Sequence, residues 1–263
     1  PSTKVMLMVK AAAYGHYTSV ICKRIEANGM ADLLGVAAIA EGIELRVEGI
    51  QLPVMVQNVN PKHWDVMVEH CLEPVIHSTE ILASFLQFLQ SKESLAEGLY
   101  PIHIKLNTGM NRFGFNSNEL ESVVKQLKSQ RAIRVASIMS HLSSSGNLTA
   151  ENFTLSQIQQ FEVMCESLKS SLQVKPICHI LNTDGITNFS AYQMDMVRLG
   201  IGLYGASEAS DLKKDLKPVA RLLSKVVAVR RVSAGEYISY NKSGSVSEDS
   251  NIALLSLGYA DGV

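Results

Sequence analysis

Residues 34–57, LGVAAIAEGIELRVEGIQLPVMVQ, contain the pattern that decides the fold. The apolar run Leu34–Ile39 is typical of a buried strand, and Glu41–Glu48 has helical periodicity and ends at Gly49, a common helix stop. A second apolar run, Pro53–Gln57, follows directly. The stretch therefore predicts a strand, a helix and another strand, which is the unit from which parallel sheets are built.

The same unit recurs along residues 1–206. Further buried strands are predicted at Val5–Val9, Pro74–His77, Pro101–Leu106, Val135–Ser140, Cys178–Leu181 and Met194–Leu199, with helical periodicity between them. Strand and helix units joined by right-handed crossovers close most economically as a (β/α)8 TIM barrel, so we predict an α/β barrel over residues 1–206. A doubly wound open sheet is the alternative.

The pattern changes after residue 206. Val219–Val232, Tyr237–Tyr240 and Ile252–Leu257 resemble strands joined by turns without helices, so residues 207–263 are predicted to be the start of a mainly β C-terminal domain. The chain begins inside an apparent strand without an initiating Met and stops just after a glycine-containing turn. We therefore interpret the sequence as a fragment with an incomplete second domain.

Composition excludes several classes of function. The formal net charge is −1, from 24 basic and 25 acidic residues without a charge run, so neither nucleic acid nor a membrane surface is an expected partner. The four cysteines form no CxxC pair, which indicates a reducing compartment, and we predict a cytoplasmic protein. The histidines show no metal-binding spacing, so no metal site is expected. A small molecule is the expected partner.

In a barrel, functional residues collect at the C-terminal ends of the strands. Lys10 follows the first predicted strand. Burial there would favour the neutral amine that imine formation with an aldehyde cofactor requires. A solvated lysine at a strand end is the alternative interpretation.

The last predicted strand runs into RLGIGLYG, residues 198–205, which matches GxGxxG. A dinucleotide fingerprint follows the first strand of a βαβ unit, whereas these glycines follow the last one. Loops after strands seven and eight of barrels commonly bind phosphate, and Asn182 and Thr183 follow strand seven. We therefore predict a phosphate site, with a tight connection into the second domain as the alternative.

Two further strand ends carry candidate residues. Arg112, in the loop after strand five, has the planar donor geometry that suits a carboxylate, although a surface arginine is the commoner case. His141, at the end of strand six, is either packed on an aromatic cofactor or a hydrogen-bonded core residue.

Five motifs occur in a common order. The sequence contains MVKAAAYGH around Lys10, TGMNRFG at 108–114, SHL at 140–142, DMVRLGIGLYG at 195–205 and GYADG at 258–262. In these motifs and their spacing it resembles the bacterial alanine racemases over nearly its whole length. Ala12, Ala13 and Tyr17 depart from the pattern without removing a named catalytic group.

The resemblance implies a barrel followed by a β domain, a head-to-tail homodimer, and interconversion of L-alanine and D-alanine for cell-wall peptidoglycan. It implies pyridoxal 5'-phosphate as the cofactor, held by Lys10 as an internal aldimine. It further implies a two-base mechanism in which Lys10 and Tyr259 exchange protons, Tyr259 completing the partner subunit's site. The remaining implied cofactor contacts are Tyr14, His141, Asn182, Thr183, Arg198, Gly200 and Ile201.

The same resemblance assigns Arg198 to the pyridine nitrogen and Arg112 to the substrate carboxylate. Lys105 matches a lysine that is often carbamylated in relatives. Other functions stay open at this point: a different barrel-type pyridoxal enzyme such as a broad-range racemase or decarboxylase, a non-catalytic pyridoxal-phosphate-binding protein, and an NAD-dependent oxidoreductase. GYADG and TGMNRFG argue against the decarboxylase.

Overall fold

The computed structural model describes residues 3–92, 99–129 and 132–262. The chain separates into two compact units, one extending to Val219 and one beginning at Ala220. No helix among the described residues is long and apolar enough to cross a membrane.

The first unit is a parallel eight-stranded sheet in the order β7-β6-β5-β4-β3-β2-β1-β8. Its strands are β1 Lys4–Met8, β2 Leu33–Ala38, β3 Val54–Asn58, β4 Leu72–Ile76, β5 Tyr100–Lys105, β6 Ile133–Met139, β7 Ile177–His179 and β8 Met196–Leu199. β8 pairs with β1. On its other side, the backbone N–H of Arg198 in β8 donates to the Leu181 carbonyl, just after β7, at 3.1 Å. The sheet thus closes on itself, which confirms the predicted barrel and excludes the open sheet.

A helix follows each strand of the barrel. In chain order these are Thr18–Ala27, Ile39–Val47, Trp64–Glu69, Thr79–Gln90, Leu120–Lys128, Glu151–Leu172, Thr183–Asn188 and Ser210–Asp215. Local capping sets several starts, since the Ser78 hydroxyl accepts a hydrogen bond from the Ile81 N–H. A 3-10 turn, Pro61–His63, precedes the helix Trp64–Glu69. This placement leaves the strand ends free to form a site.

The barrel has two packed layers. Residues that alternate outward on the strands pack against the helices as the main apolar core. A smaller cluster fills part of the interior and is rich in methionine, with Met6, Met8, Met55, Met139 and Met196 among its members. The strands β4 to β8 place polar side chains in the same interior, among them His103, Ser137, His179 and Arg198, all buried.

The second unit contains two antiparallel pairs. β9 Val226–Val232 pairs with β12 Ser250–Leu255, and β10 Tyr237–Ile238 pairs with β11 Gly244–Ser245. None of its described residues is buried. A two-stranded ribbon of this kind buries little apolar surface by itself.

Candidate functional site

A single pocket at the C-terminal ends of the barrel strands gathers the candidate residues of the first unit. Its empty volume is about 700 Å³, counting the open solvent at its mouth. Sequence analysis did not single out four of the lining residues: Met8, Gln57, Met139 and Asp184. The other lining residues are Lys10, Tyr14, Lys105, Arg112, His141, Asn182, Thr183, Arg198, Gly200 and Ile201.

Lys10 is half-buried and begins an unusual turn. The four residues that follow, Ala11 to Tyr14, all have φ between 53° and 56° and form a left-handed turn. For residues with a Cβ this conformation costs about 1–2 kcal/mol each, so other contacts must hold it. The Ala13 N–H donates to the Val9 carbonyl at 3.0 Å. The turn brings the side chains of Lys10 and Tyr14 into one pocket.

Glu41, in the first turn of the helix that follows β2, holds the left-handed turn. Its Oε1 accepts a hydrogen bond from the Ala11 N–H at 2.7 Å. Its Oε2 accepts from Ala37 and Ala38 at 2.7 and 3.0 Å, at the start of the helix Ile39–Val47. Sequence analysis placed Glu41 at the start of a helix but missed its contact with the turn after Lys10. An acidic residue in the first turn of a helix is a recognisable capping signal.

Thr183 holds the loop that follows β8, residues 200–205, which we call the glycine loop. Its Oγ1 accepts hydrogen bonds from Gly200 N–H at 3.1 Å and from Gly202 N–H at 3.2 Å. Both hydroxyl lone pairs are thereby used, so the hydroxyl hydrogen is available for another acceptor. Within the described part of the chain, nothing accepts a hydrogen bond from the Ile201 N–H. Donors without a protein partner suit an anion at this position.

Tyr14 lies in the same part of the pocket. We call Tyr14, Thr183, Gly200 and Ile201 together the phosphate cradle. An ideal Cβ at Gly200 would lie 3.0 Å from the Tyr14 hydroxyl, so a larger residue would enter the space that the glycine leaves. Among the described side chains and backbone groups, none pairs with that hydroxyl. The Tyr204 ring stacks on Tyr14 at 4.7 Å, and the Tyr204 hydroxyl donates to the Met8 carbonyl at 3.0 Å. Tyr204 is thus a supporting residue that sequence analysis did not single out.

Arg198 is buried beneath the pocket. Its guanidinium donates to the Nδ1 of His179 at 2.7 Å, to the carbonyls of Ser140 and Ile180 at 2.7 and 2.9 Å, and to the Nδ1 of His141 at 3.1 Å. Burial lowers the pKa of Arg198 to about 10, so it stays charged at neutral pH. Burial first, and Arg198 second, hold the pKa values of both histidines well below the usual range. The site therefore presents a fixed cation and neutral imidazoles.

Lys105 is the second buried cation. Burial first, and then the charges of Arg198, Arg112 and Lys10, lower the pKa of Lys105 to about 8. Its Nζ lies 5.6 Å from the centre of the Phe113 ring, and no carboxylate in the described structure pairs with it. A lysine in this setting has an appreciable neutral fraction near physiological pH.

Arg112 lies exposed on a loop that Asn107 organises. The Asn107 Oδ1 accepts from the Gly109 and Asn111 N–H groups at 3.2 and 3.0 Å. Gly114 has φ +122°, and a Cβ there would lie 2.5 Å from the Leu106 backbone, so only glycine fits. The loop thus holds the guanidinium at the pocket mouth.

His141 and Asn182 line the pocket and also have structural partners. His141 accepts from Arg198, as described above. The Asn182 Oδ1 caps the following helix by accepting from the Gly185 N–H at 3.1 Å, and it also accepts from the Ser145 hydroxyl at 2.6 Å. Direct cofactor contacts by these two residues stay a prediction.

The charge of the pocket is strongly positive. Lys10, Lys105, Arg112 and Arg198 line it, against one carboxylate, Asp184, which accepts hydrogen bonds from the backbone of residues 208 and 209. Over the described ranges, no group of three His, Cys, Asp or Glu residues could hold a metal ion. The arrangement suits a ligand with more than one anionic group, such as a phosphate and a carboxylate.

Tyr259 lies in the second unit. It begins the 3-10 turn Tyr259–Asp261, where the Asp261 Oδ2 accepts from the Gly258 N–H at 2.9 Å. Its side chain is 95% exposed. The expected entry of Tyr259 into a partner's site stays a prediction.

Comparison with known proteins gives consistent matches. The family model for the alanine racemase N-terminal domain matches residues 1–208, and that for the alanine racemase C-terminal domain matches residues 219–263. The chain is 34% identical over 265 residues to the alanine racemase of Clostridium novyi (strain NT), covering 98% of this chain and 67% of that protein. It thus spans about two thirds of the length of that relative.

Solved structures match nearly the whole length of this chain. The alanine racemase from D-cycloserine-producing Streptomyces lavendulae has a TM-score of 0.85 and 25% identity, covering 99% of this chain and 69% of that one. The alanine racemase from Bartonella henselae, described with covalently bound pyridoxal phosphate, has a TM-score of 0.81 and 24% identity, covering 99% of this chain and 70% of that one. At 24% identity the likeness shows the fold alone.

Proposed function

Because this chain belongs to the alanine racemase family, we propose that it interconverts L-alanine and D-alanine with pyridoxal phosphate bound in the barrel pocket. The observation that carries the proposal is the convergence of Lys10, the Thr183 cradle and buried Arg198 on one pocket. Residues 1–206 would bind the cofactor, and residues 207–263 would supply the second proton-transfer group.

The residues of the pocket fit the proposed cofactor. Lys10 offers the amine for covalent attachment, and the donors of Tyr14, Thr183 and Ile201 suit the phosphate, with Gly200 leaving the space. When bound, pyridoxal phosphate withdraws electrons from the substrate α-carbon and so acidifies its C–H bond. Because an arginine has only donors, Arg198 would leave the ring nitrogen unprotonated. This limits electron withdrawal and favours return of the proton to carbon over transamination.

Racemisation needs proton-transfer groups on opposite faces of the α-carbon. We assign one to the Lys10 amine and the other to the Tyr259 phenol of the second subunit in a head-to-tail homodimer. The high exposure of Tyr259 is consistent with a residue that acts outside its own unit. The two groups would exchange roles when the reaction runs in the other direction.

Arg112 and Lys105 are proposed to bind the substrate end of the pocket. Arg112 would pair with the alanine carboxylate. The neutral Lys105 amine can add to carbon dioxide, forming an N–C bond and releasing a proton, which makes a carbamate anion. The pKa of about 8 supports this step, and the anion would pair with Arg112. We further propose a cytoplasmic location and a role in supplying D-alanine for peptidoglycan.

The direct test is conversion of L-alanine to D-alanine by the purified chain with added pyridoxal phosphate, read by chiral chromatography. We expect both enantiomers to approach equal amounts from either starting side. A Lys10→Ala protein with the same cofactor controls for slow racemisation by free pyridoxal phosphate. Conversion no faster than in that control would contradict the proposed function.

A further inference from the structure

A continuous chain of hydrogen-bonded side chains crosses the barrel interior beneath the pocket. Five successive strands each contribute one residue: Glu73, His103, Ser137, His179 and Arg198. The links measure 2.8, 2.7, 3.0 and 2.7 Å in that order. Four of the members are at most 2% exposed, and the Glu73 side chain is 15% exposed.

The strand register builds this chain. His103 and Ser137 are Cα partners across β5 and β6, whereas His179 pairs with Met139, two residues further along β6. Glu73 likewise lies two residues before Val75, the partner of His103. The hydrogen-bonded chain therefore extends from Glu73, early in β4, to Arg198 at the pocket. It shares the barrel interior with the methionine-rich cluster.

When His103 carries a single ring proton, the two ends of the chain determine the direction of every hydrogen bond. Arg198 has only donors and an ionised Glu73 has only acceptors. Arg198 must donate to the Nδ1 of His179, whose Nε2–H then donates to Ser137 Oγ. Ser137 donates to the Nδ1 of His103, whose Nε2–H donates to Glu73. His179 is thus held as the tautomer that carries its proton on Nε2.

The electrostatics agree with this assignment. Burial, with Arg198 and His103 as further causes, holds the pKa of His179 well below its usual range, so the ring stays neutral and keeps one nitrogen as an acceptor. No carboxylate in the described structure contacts Arg198 directly. The Glu73 carboxylate is the negative group that the hydrogen-bonded chain connects to this cation.

We propose that Glu73 is a positioning residue that acts on Arg198 through Ser137, keeping the His179 acceptor directed at the guanidinium. This inference rests on the proposed function, in which Arg198 faces the cofactor ring nitrogen. If Glu73 becomes an amide, its N–H can donate to His103, and the direction of the chain is no longer imposed. The hydrogen bond between Arg198 and His179 then weakens, although no residue that lines the pocket has changed.

The test compares the holoenzyme with Glu73→Gln, Ser137→Ala and the double variant, with Glu69→Gln as the control. Glu69 is an exposed carboxylate at the end of the helix before β4, so its variant makes the same change of charge outside the chain. The first readout is the ¹⁵N resonance of His179 Nδ1 in histidine-labelled protein. We expect it at the unprotonated position in wild type and Glu69→Gln. In Glu73→Gln we expect a displacement toward the protonated position, from the molecules in which Ser137 donates to His179 Nε2 and Arg198 loses its acceptor.

The second readout is kinetic. We expect Glu73→Gln to lower kcat about fivefold, the equivalent of a coupling of roughly 1 kcal/mol within one hydrogen-bond network, with KM for alanine unchanged. In the Ser137→Ala background, Glu73→Gln should have no further effect, because the link between them is already broken. An equal additional loss in that background would overturn the inference.

The outcomes separate the two proposals. If the wild type does not racemise alanine, the proposed function fails, and the His179 resonance still tests the chain. If the wild type is active and Glu73→Gln matches Glu69→Gln in resonance and kcat, the positioning role of Glu73 is wrong. Should Ser137→Ala not fold, the His179 resonance in Glu73→Gln alone decides.

Discussion

The mouth of the barrel and the second unit differ in the contacts that position their polar groups: long-range contacts in the barrel, and a local turn in the second unit. In the barrel, a strained turn, a buried arginine and a glycine cradle are fixed by contacts between strands that are distant in sequence. In the second unit, Tyr259 is exposed and sits on a local turn. We therefore expect the proposed cofactor binding and the proposed proton transfer by Tyr259 to be separable, because one chain unit contains all the proposed cofactor contacts.

The largest expected effect is that of Lys10→Ala. Loss of the amine removes both covalent attachment and one proton-transfer group, so racemisation should fall by at least about 10³-fold, within the range for loss of an acid or base. Borohydride treatment followed by mass spectrometry should no longer trap cofactor on the chain. Retained trapping at another lysine would show that the assignment of Lys10 as the attachment site is wrong.

Tyr259→Phe should separate the two regions. Racemisation should fall about 10²-fold or more, while the visible absorption of the bound cofactor stays as in the wild type. Exchange of the α-proton with deuterium oxide, followed by NMR, should be lost from one enantiomer only. Equal exchange from both enantiomers would exclude the two-base assignment.

Gly200→Ala, in contrast to Tyr259→Phe, should weaken cofactor binding. The new Cβ would lie 3.0 Å from the Tyr14 hydroxyl and narrow the phosphate cradle, so cofactor affinity should fall about tenfold, as for a misplaced contact of roughly 1.4 kcal/mol. Titration with pyridoxal phosphate measures the loss. Gly244→Ala in the second unit is the control, because a Cβ there makes only an ordinary contact at 3.7 Å. Similar affinities in both variants would contradict the cradle.

The smallest effect concerns stability. The pKa of Lys105 in the folded protein is about 8, against about 10.4 in an unfolded chain, so between these pH values the unfolded state binds more protons and stability rises with pH. Below pH 8 the full cost of the buried charge remains. Lys105→Met should therefore raise Tm at pH 7 by a few degrees, at about 2–4 °C per kcal/mol, and the gain should shrink toward pH 10.

This measurement uses cofactor-free protein in bicarbonate-free buffer, followed by circular dichroism. Lys225→Met, on an exposed residue of the second unit, is the matched control and should leave Tm nearly unchanged at both pH values. A gain for Lys105→Met that is the same at pH 7 and pH 10 would show that the buried charge is not its cause.

Much of the fold was predictable because its signals are local. Apolar runs placed each barrel strand within about two residues of its observed bounds. The candidate residues followed from the same reasoning, since strand ends of a barrel meet at one face. The roles assigned to those residues still await the experiments above.

Other features depended on contacts that no local pattern encodes. The left-handed turn after Lys10 exists because Glu41, thirty residues away, accepts a hydrogen bond from Ala11. Thr183 engages two glycine N–H groups that the loop motif alone would leave for a ligand. Neither arrangement changes the hydrophobic periodicity, so neither was visible before the strands were aligned.

The sequence by itself determined where the strands and helices lie and which chemical groups stand at the strand ends, because hydrophobic periodicity and capping act within a few residues. Only the tertiary structure decided which of these groups meet. Glu73 and Ser137 are unremarkable polar residues in two strands until the barrel register joins them to buried Arg198. Register across a closed sheet is a property of the whole ring, since each strand is aligned by both of its neighbours.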